Sequence, residues 1–129
     1  MLQLNKIHHI AIICSNYEVS KDFYTNILGL EIVQEIYRAE RESYKLDLAL
    51  NGTYCIELFS FPNPPKRISS PEANGLRHLA FEVNDIQKTR DYIISKNLFA
   101  EEIRIDEHTK KQFFFMNDPN DLPIEFYER

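Results

Sequence analysis

Two histidines and two glutamates recur at matched places in this chain, and their types suit divalent-metal chemistry. His9 opens the apolar run HIAII and His78 opens HLAF, each with an alanine two residues on (Ala11, Ala80). Residues two apart on a strand share a face, so the small side chain leaves room beside each imidazole. Glu57 lies inside TYCIELFSF and Glu125 inside LPIEFYE. A carboxylate hemmed in by Ile and Leu, or by Ile and Phe, is costly to bury without compensation. Imidazole nitrogen and carboxylate oxygen together suit Zn²⁺, Ni²⁺, Mn²⁺, Fe²⁺ or Co²⁺. Taken singly, a strand histidine is more often structural and a strand glutamate more often faces solvent. The matched set of four makes a His₂Glu₂ site for one cation, with room for one or two waters, the better reading. By the same alternation His8 points away from His9, to the side of Ile10 and Ile12.

The elements that must position these residues come from a repeat. HIAIICSNYEVSKDFYTNILGLEI, starting at His9, lies over HLAFEVNDIQKTRDYIISKNLFAEEI, starting at His78. The overlay sets Asn16 on Asp85, and IELF on IEFY near the end of each half sets Glu57 on Glu125. A duplicated module whose halves pair to build one architecture explains this. In the first half, residues 6–13 read as a strand, Asn16 as an N-cap, and 17–28 as a helix with Val19, Phe23, Tyr24, Ile27 and Leu28 toward the core. Strands are expected over 30–38, 43–50 and 53–60, the last two joined by the hairpin signal Asn51-Gly52. The second half predicts a strand over 76–83, an Asp85 N-cap, and a helix over 86–96 with Ile86, Ile93 and Leu98 near one face. Strands follow near 99–105, 111–117 and 122–128. The fold class is α+β, a βαβββ module used twice: module 1 over 5–60, a linker over 61–75, and module 2 over 76–129.

Composition bounds the functions open to it. The net charge of −5 disfavours a nucleic-acid or anionic-membrane binder. The three glycines, Gly29, Gly52 and Gly75, stand too far apart for a nucleotide-cradling loop. No signal peptide and no membrane span is readable, and Cys14 and Cys55 read as separate buried thiols, so a cytoplasmic protein is expected. The linker FPNPPKRISSPEANG is proline-dense and favours extended or turn backbone. It reads either as a stiff crossing or as a pocket edge from which Lys66 and Arg67 reach an anion. Arg38, Arg41, Lys45, Arg77, Arg104 and Lys111 sit near strand ends, where solvated surface charge is the commoner role. Tyr37, Tyr44, Tyr54 and the Phe113–Phe115 run read as core or dimer contact.

The segments KIHHIAII, NYEVSKDFYTNILGLEI, YCIELFSF, GLRHLAFEV and FMNDPNDLPIEF resemble the vicinal oxygen chelate superfamily over essentially the whole chain. The resemblance is to its glyoxalase I-like members, in particular a YaeR-like, lactoylglutathione lyase-like branch. It implies paired βαβββ modules forming a curved eight-stranded sheet around one divalent metal, Zn or Ni being favoured (the glyoxalase / bleomycin resistance / dihydroxybiphenyl dioxygenase-like fold). His9, Glu57, His78 and Glu125 fall on the family's ligand positions. The implied reaction converts a 2-oxoaldehyde thiohemiacetal to a 2-hydroxyacyl thioester through a metal-bound enediolate, with Glu125 as first choice of base and Glu57 its near-symmetric partner. The resemblance further implies a small-molecule substrate, such as a glutathione adduct of methylglyoxal, and a homodimer. It leaves open whether the metal lies within one chain or is shared across the dimer. The hairpin Asp118-Pro119-Asn120-Asp121 departs from the family's usual Asp-Pro-Asp-Gly, and the segments with which larger glyoxalases grip glutathione have no counterpart here. A dioxygenase or thiol transferase on the same scaffold, or a non-catalytic binding module, are the alternatives. The complete His₂Glu₂ set argues against each.

Overall fold

The computed structural model describes all 129 residues and falls into two units, Met1–Pro65 and Lys66–Arg129. The first contains β1 (Ile10–Cys14), α1 (Tyr17–Asp22) continued by a π-helical turn (Phe23–Ile27), β2 (Glu31–Arg38), β3 (Ser43–Leu50) and β4 (Thr53–Ser60). The second contains β5 (Leu79–Val83), α2 (Ile86–Ser95), β6 (Arg104–Ile105), β7 (Gln112–Asn117) and β8 (Pro123–Glu128). The eight strands form two four-stranded mixed sheets, in the orders β1-β4-β3-β2 and β5-β8-β7-β6. In each, the first and last strands pair in parallel and the others are antiparallel. The linker is no free connector, since Lys66–Gly75 belongs to the second unit.

Local chemistry sets the element ends. The Asn16 side chain accepts from the Val19 N–H at 3.2 Å, and Asp85 accepts from Lys88 N–H at 3.0 Å. These are the expected N-caps, each satisfying one orphan helix donor. Asn51 and Gly52 both take positive φ, 50° and 80°, which a tight hairpin of this hand requires. In the β7–β8 turn Asp118 Oδ1 accepts from Asn120 N–H at 2.8 Å and Leu122 N–H at 2.9 Å. Asp121 supplies the positive φ of 66°.

Each sheet buries one face. In the first unit Ile12, Cys14, Leu46, Leu48, Ile56 and Leu58 meet Tyr17, Phe23 and Tyr24 of the helix. In the second, Phe114, Met116, Ile124 and Phe126 meet Ile86 and Ile93. Val19, expected in the core, is half exposed at 50%, while Tyr17 and Ser20 are buried in its place. The inward stripe runs 17, 20, 23, 24 and shifts at the π turn, so Val19 falls one step off it. Ile86 and Ile93 are buried as expected, and Leu98 lies past the end of α2.

Three expected strands are shorter than read, two of them for a visible reason. Residues 1–9 lie outside the sheet and are exposed. Before β5, the Leu76 and Arg77 carbonyls accept from Arg67 Nη2 at 2.8 and 2.7 Å. Before β6, the Ala100 and Glu101 carbonyls accept from the Arg90 side chain of α2. Carbonyls bonded to guanidinium groups in this way leave the ladder. No helix is long and apolar enough to cross a membrane. Cys14 and Cys55 are free thiols, Cys14 buried and Cys55 half-buried.

A polar tie fixes α1 on the first sheet. The Tyr17 hydroxyl donates to Glu35, Lys21 Nζ donates to the same carboxylate at 2.8 Å, and the Tyr17 ring stacks on Tyr44 at 4.1 Å. Lys21, and then Tyr17, hold the Glu35 carboxyl below the usual carboxylate range. A depressed folded-state pKa stabilises above the ordinary carboxylate range, and the contribution is lost as pH falls through the folded value. Glu35→Gln is therefore expected to lose about 1 kcal/mol or less at pH 7, because the pair is partly solvated. The difference from wild type should shrink as pH falls below the ordinary carboxylate range, which urea unfolding over a series of pH values will read.

Candidate metal centre

The parallel pairing in each sheet places one histidine over one glutamate. Ala11 lies opposite Glu57 and Ala80 opposite Glu125. Two residues earlier in each case, and one residue before the strand begins, stand His9 and His78. Both imidazoles reach the open face of their sheet over the small alanine. His9 Nε2 lies 3.8 Å from Glu57 Oε1, and His78 Nε2 lies 2.9 Å from Glu125 Oε2. The glutamate side chains are 16% and 13% exposed, so each carboxylate is largely withdrawn from water.

The first module surrounds its pair with polar groups. Asp47 is directly opposite Glu57 across β3 and β4. Two carboxylates in that relation repel, and Lys45 bridges them, with Nζ 2.8 Å from Asp47 and 3.4 Å from Glu57. The hydrogen bond to Asp47, with Glu57 adding, raises the Lys45 pKa and keeps the ammonium charged. The Tyr54 hydroxyl lies 3.3 Å from Asp47 and 3.2 Å from Glu57, sharing one proton between them. Burial first, then those two charges, push the phenol above its ordinary value, so it remains a donor.

Tyr54 also stacks on His9, with ring centroids 5.3 Å apart and planes at 23°. His8 packs edge-on against both rings, and its Nδ1 is 2.9 Å from His9 Nδ1. That hydrogen bond occupies His9 Nδ1 and leaves Nε2 for Glu57. His8 is thus beside His9, contrary to the strand alternation, because the two residues precede β1 and escape its pleat. The second module is apolar by comparison. Phe115 lies opposite Glu125, and its ring meets His78 edge-on at 5.1 Å. His78 Nδ1 is buried without a hydrogen-bond partner.

These residues fit a divalent ion in type and spacing. Donors about 2.1 Å from one ion at octahedral or tetrahedral angles lie about 3.0–3.4 Å apart, close to the two His–Glu separations. An imidazole that ligates through one nitrogen usually has the other hydrogen-bonded, as His9 does through His8. Each module gathers two donors, not three or more.

The remaining sequence candidates divide clearly. Lys45 is no solvated surface charge but a member of the Glu57 network. Tyr54, read as core or dimer contact, belongs to the same network. A β-bulge between Leu48 and Ala49 sets Leu48 on Ile56 but Ala49 on Tyr54, which turns Tyr54 to the Glu57 face. Asp47 is not singled out in the sequence, because counting back from the Asn51-Gly52 hairpin sets Leu46 opposite Glu57, and only the bulge brings Asp47 there. Arg67 does not reach outward: its three hydrogen bonds go to Ser69, Leu76 and Arg77. Arg104 is paired with Glu101 at 3.0 Å, and Lys111 donates to the Arg129 carbonyl at 2.9 Å. Phe114 is fully buried, while Phe113 and Phe115 share the half-buried Glu125 face.

This fold belongs to a known class. Residues 6–126 match the Glyoxalase/Bleomycin resistance protein/Dioxygenase superfamily, and the chain is a member of it. It is 57% identical to the uncharacterized protein YaeR of Escherichia coli (strain K12), over the full length of both chains. It is also 57% identical to the uncharacterized protein YwkD of Bacillus subtilis (strain 168), over 98% of each. The crystal structure of SMU.1112c superposes with a TM-score of 0.92 at 42% identity, covering 98% of this chain and 100% of that one. A methylmalonyl-CoA epimerase of Dictyostelium discoideum is 29% identical, over 84% of this chain and 64% of its own. A mutant of the fosfomycin resistance protein FosX of Listeria monocytogenes, complexed with Mn(II), shares the fold at a TM-score of 0.74 and 14% identity, covering 97% of this chain and 93% of that one.

The bridging role of Lys45 gives a test. Lys45→Met leaves Asp47 and Glu57 facing each other and should cost about 1–2 kcal/mol of stability at pH 7. The double variant Lys45→Met/Asp47→Asn should recover most of that loss in urea unfolding.

Proposed function

We propose that the protein is a divalent-metal-dependent lyase or isomerase of the glyoxalase I type, working in the cytoplasm. Its substrate in this reading is a 2-oxoaldehyde thiohemiacetal, such as a methylglyoxal–thiol adduct, and its product a 2-hydroxyacyl thioester. The observation that carries this is the same His–Glu pair, one step before a parallel strand and in mid-strand, built twice. His9, Glu57, His78 and Glu125 would hold one ion, Zn or Ni being favoured, with the two pairs completing each other within one chain or across a homodimer. When bound, the metal supplies Lewis acidity toward two neighbouring substrate oxygens.

The chain's own residues then divide the labour unequally. Glu57 is tied to Tyr54 and Lys45 and is suited to stay in place. Glu125 lies 2.9 Å from His78 Nε2 and opposite Phe115. It is suited to take a proton from one substrate carbon and return it to the next. The apolar walls of Phe113 and Phe115 exclude water from that transfer. Similarity to an epimerase favours a second reading, epimerisation of methylmalonyl-CoA, in which the same carboxylates would move a proton on one carbon.

Metal analysis tests the site. The purified protein should carry close to one divalent ion per chain, and His9→Ala and Glu57→Gln should lose it. Full retention in Glu57→Gln would mean a three-ligand centre instead. Turnover of methylglyoxal with a panel of thiols should fall about 10²–10⁴-fold in Glu125→Gln. Turnover of methylmalonyl-CoA with no thiol active would select the second reading.

A further inference from the structure

The open face of the first sheet carries positive charge that the metal reading does not use. Arg38 lies opposite Ser43 in β2 and β3, and Lys45 opposite Phe59 in β3 and β4. Cross-strand partners share a face, so Arg38, Lys45, Glu57 and Phe59 all stand on the same side of the sheet. The Arg38 guanidinium centre is 4.7 Å from the Phe59 ring centroid and 5.8 Å from that of Phe61. Arg41 sits 4.9 Å from Phe61 on the turn that follows β2. The two rings stack on each other at 5.9 Å and form a platform beneath both guanidinium groups.

Neither arginine is neutralised by the protein. The ion pairs made by basic side chains other than histidine use Lys21, Lys45, Lys88, Arg90 and Arg104. Arg38 Nη2 donates to Ser43 Oγ at 2.9 Å, a neutral acceptor, and its Nε–H is buried with no acceptor at all. Arg41 is exposed. The Arg38 guanidinium, partly dehydrated by the Phe59 and Phe61 rings and in no ion pair, exerts a strong field on any anion nearby, while Arg41 stands between Glu40 and Glu42 in the sequence but is ion-paired with neither. By contrast Lys45, on the same face, is consumed by Asp47 and Glu57.

We infer that Arg38 and Arg41, on the Phe59–Phe61 platform, bind an oxyanion of the substrate, a carboxylate or a phosphate. This deepens the proposed reaction and rests on it for the other end of the molecule. At about 3.3 Å per residue, Phe59 lies about 7 Å along β4 from Glu57, and Phe61, one residue past the strand, about 13 Å away. The substrate is therefore larger than a methylglyoxal adduct of a small neutral thiol, and it carries its negative charge several bonds from the chelated oxygens. Planar guanidinium groups recognise both carboxylate and phosphoryl oxygens in bidentate fashion.

Two arms test this separately from the metal site. In the first, inorganic phosphate is titrated into chelator-stripped protein while the Arg38 and Arg41 Nε–H signals are followed by NMR. Saturable movement of both signals is expected, and its absence would overturn the inference. In the second, zinc-loaded protein is titrated by calorimetry with three hydroxamates of equal length, ending in a methyl, a carboxylate or a phosphonate group. The charged probes should bind about tenfold tighter or more than the neutral one, and their order identifies the oxyanion. Arg38→Gln, and the surface variant Arg41→Gln, should remove most of that preference without changing the neutral probe's affinity. Equal binding of all three probes by wild type, or equal weakening of all three in Arg41→Gln, would overturn it. If no hydroxamate binds while phosphate still moves both signals, the anion site stands and the metal reading falls.

Discussion

The parallel pairing of the first and last strand in each module is the constraint on which the rest depends. It sets Ala11 against Glu57 and Ala80 against Glu125, and so brings a histidine to a carboxylate on a partly buried strand. Parallel neighbours cannot be joined by a tight turn. The helix and two further strands of each module are the connection that carries the chain from one to the other. The caps at Asn16 and Asp85 and the hairpin at Asn51-Gly52 serve that return path.

The two halves share one strand order, and sequence differences make them chemically different. Position for position, Lys45 and Asp47 of β3 face Phe59 and Glu57, while Phe113 and Phe115 of β7 face Tyr127 and Glu125. One carboxylate is wrapped in donors and a second negative charge. The other is flanked by aromatic rings. A reaction that removes a proton from carbon needs one base free to move and one ligand that stays. In the proposed reaction, that difference between the modules would leave Glu125 free to move a proton while Glu57 stays in place.

Much of this was legible in the residues. β2, β3 and β4 fall within a residue of the expected bounds, and the Asn51-Gly52 turn fixes where β3 ends and β4 begins. The His–Glu pairs were found by the repeat alone. Their closeness within each module follows from strand parity. Tyr54 was misplaced because one extra residue at the bulge reverses parity, and nothing in TYCIELF announces it. His8 was misplaced because alternation was extended past the point where pairing begins. β6 was overread since Arg90, far along the chain, takes the carbonyls of residues 100 and 101. The β6 miss is a side-chain contact overriding a local pattern, while those at Tyr54 and His8 are breaks in the strand pleat itself.

The central proposal is that His9, Glu57, His78 and Glu125 would together hold one ion. X-ray absorption at the metal edge of the loaded protein tests it most directly. The account predicts two imidazole nitrogens and two carboxylate oxygens per ion at about 2.0–2.2 Å. The spectrum should show one imidazole fewer in His9→Ala reloaded at high metal concentration. A single imidazole per ion in the wild type would contradict it, since each His–Glu pair would then be acting alone.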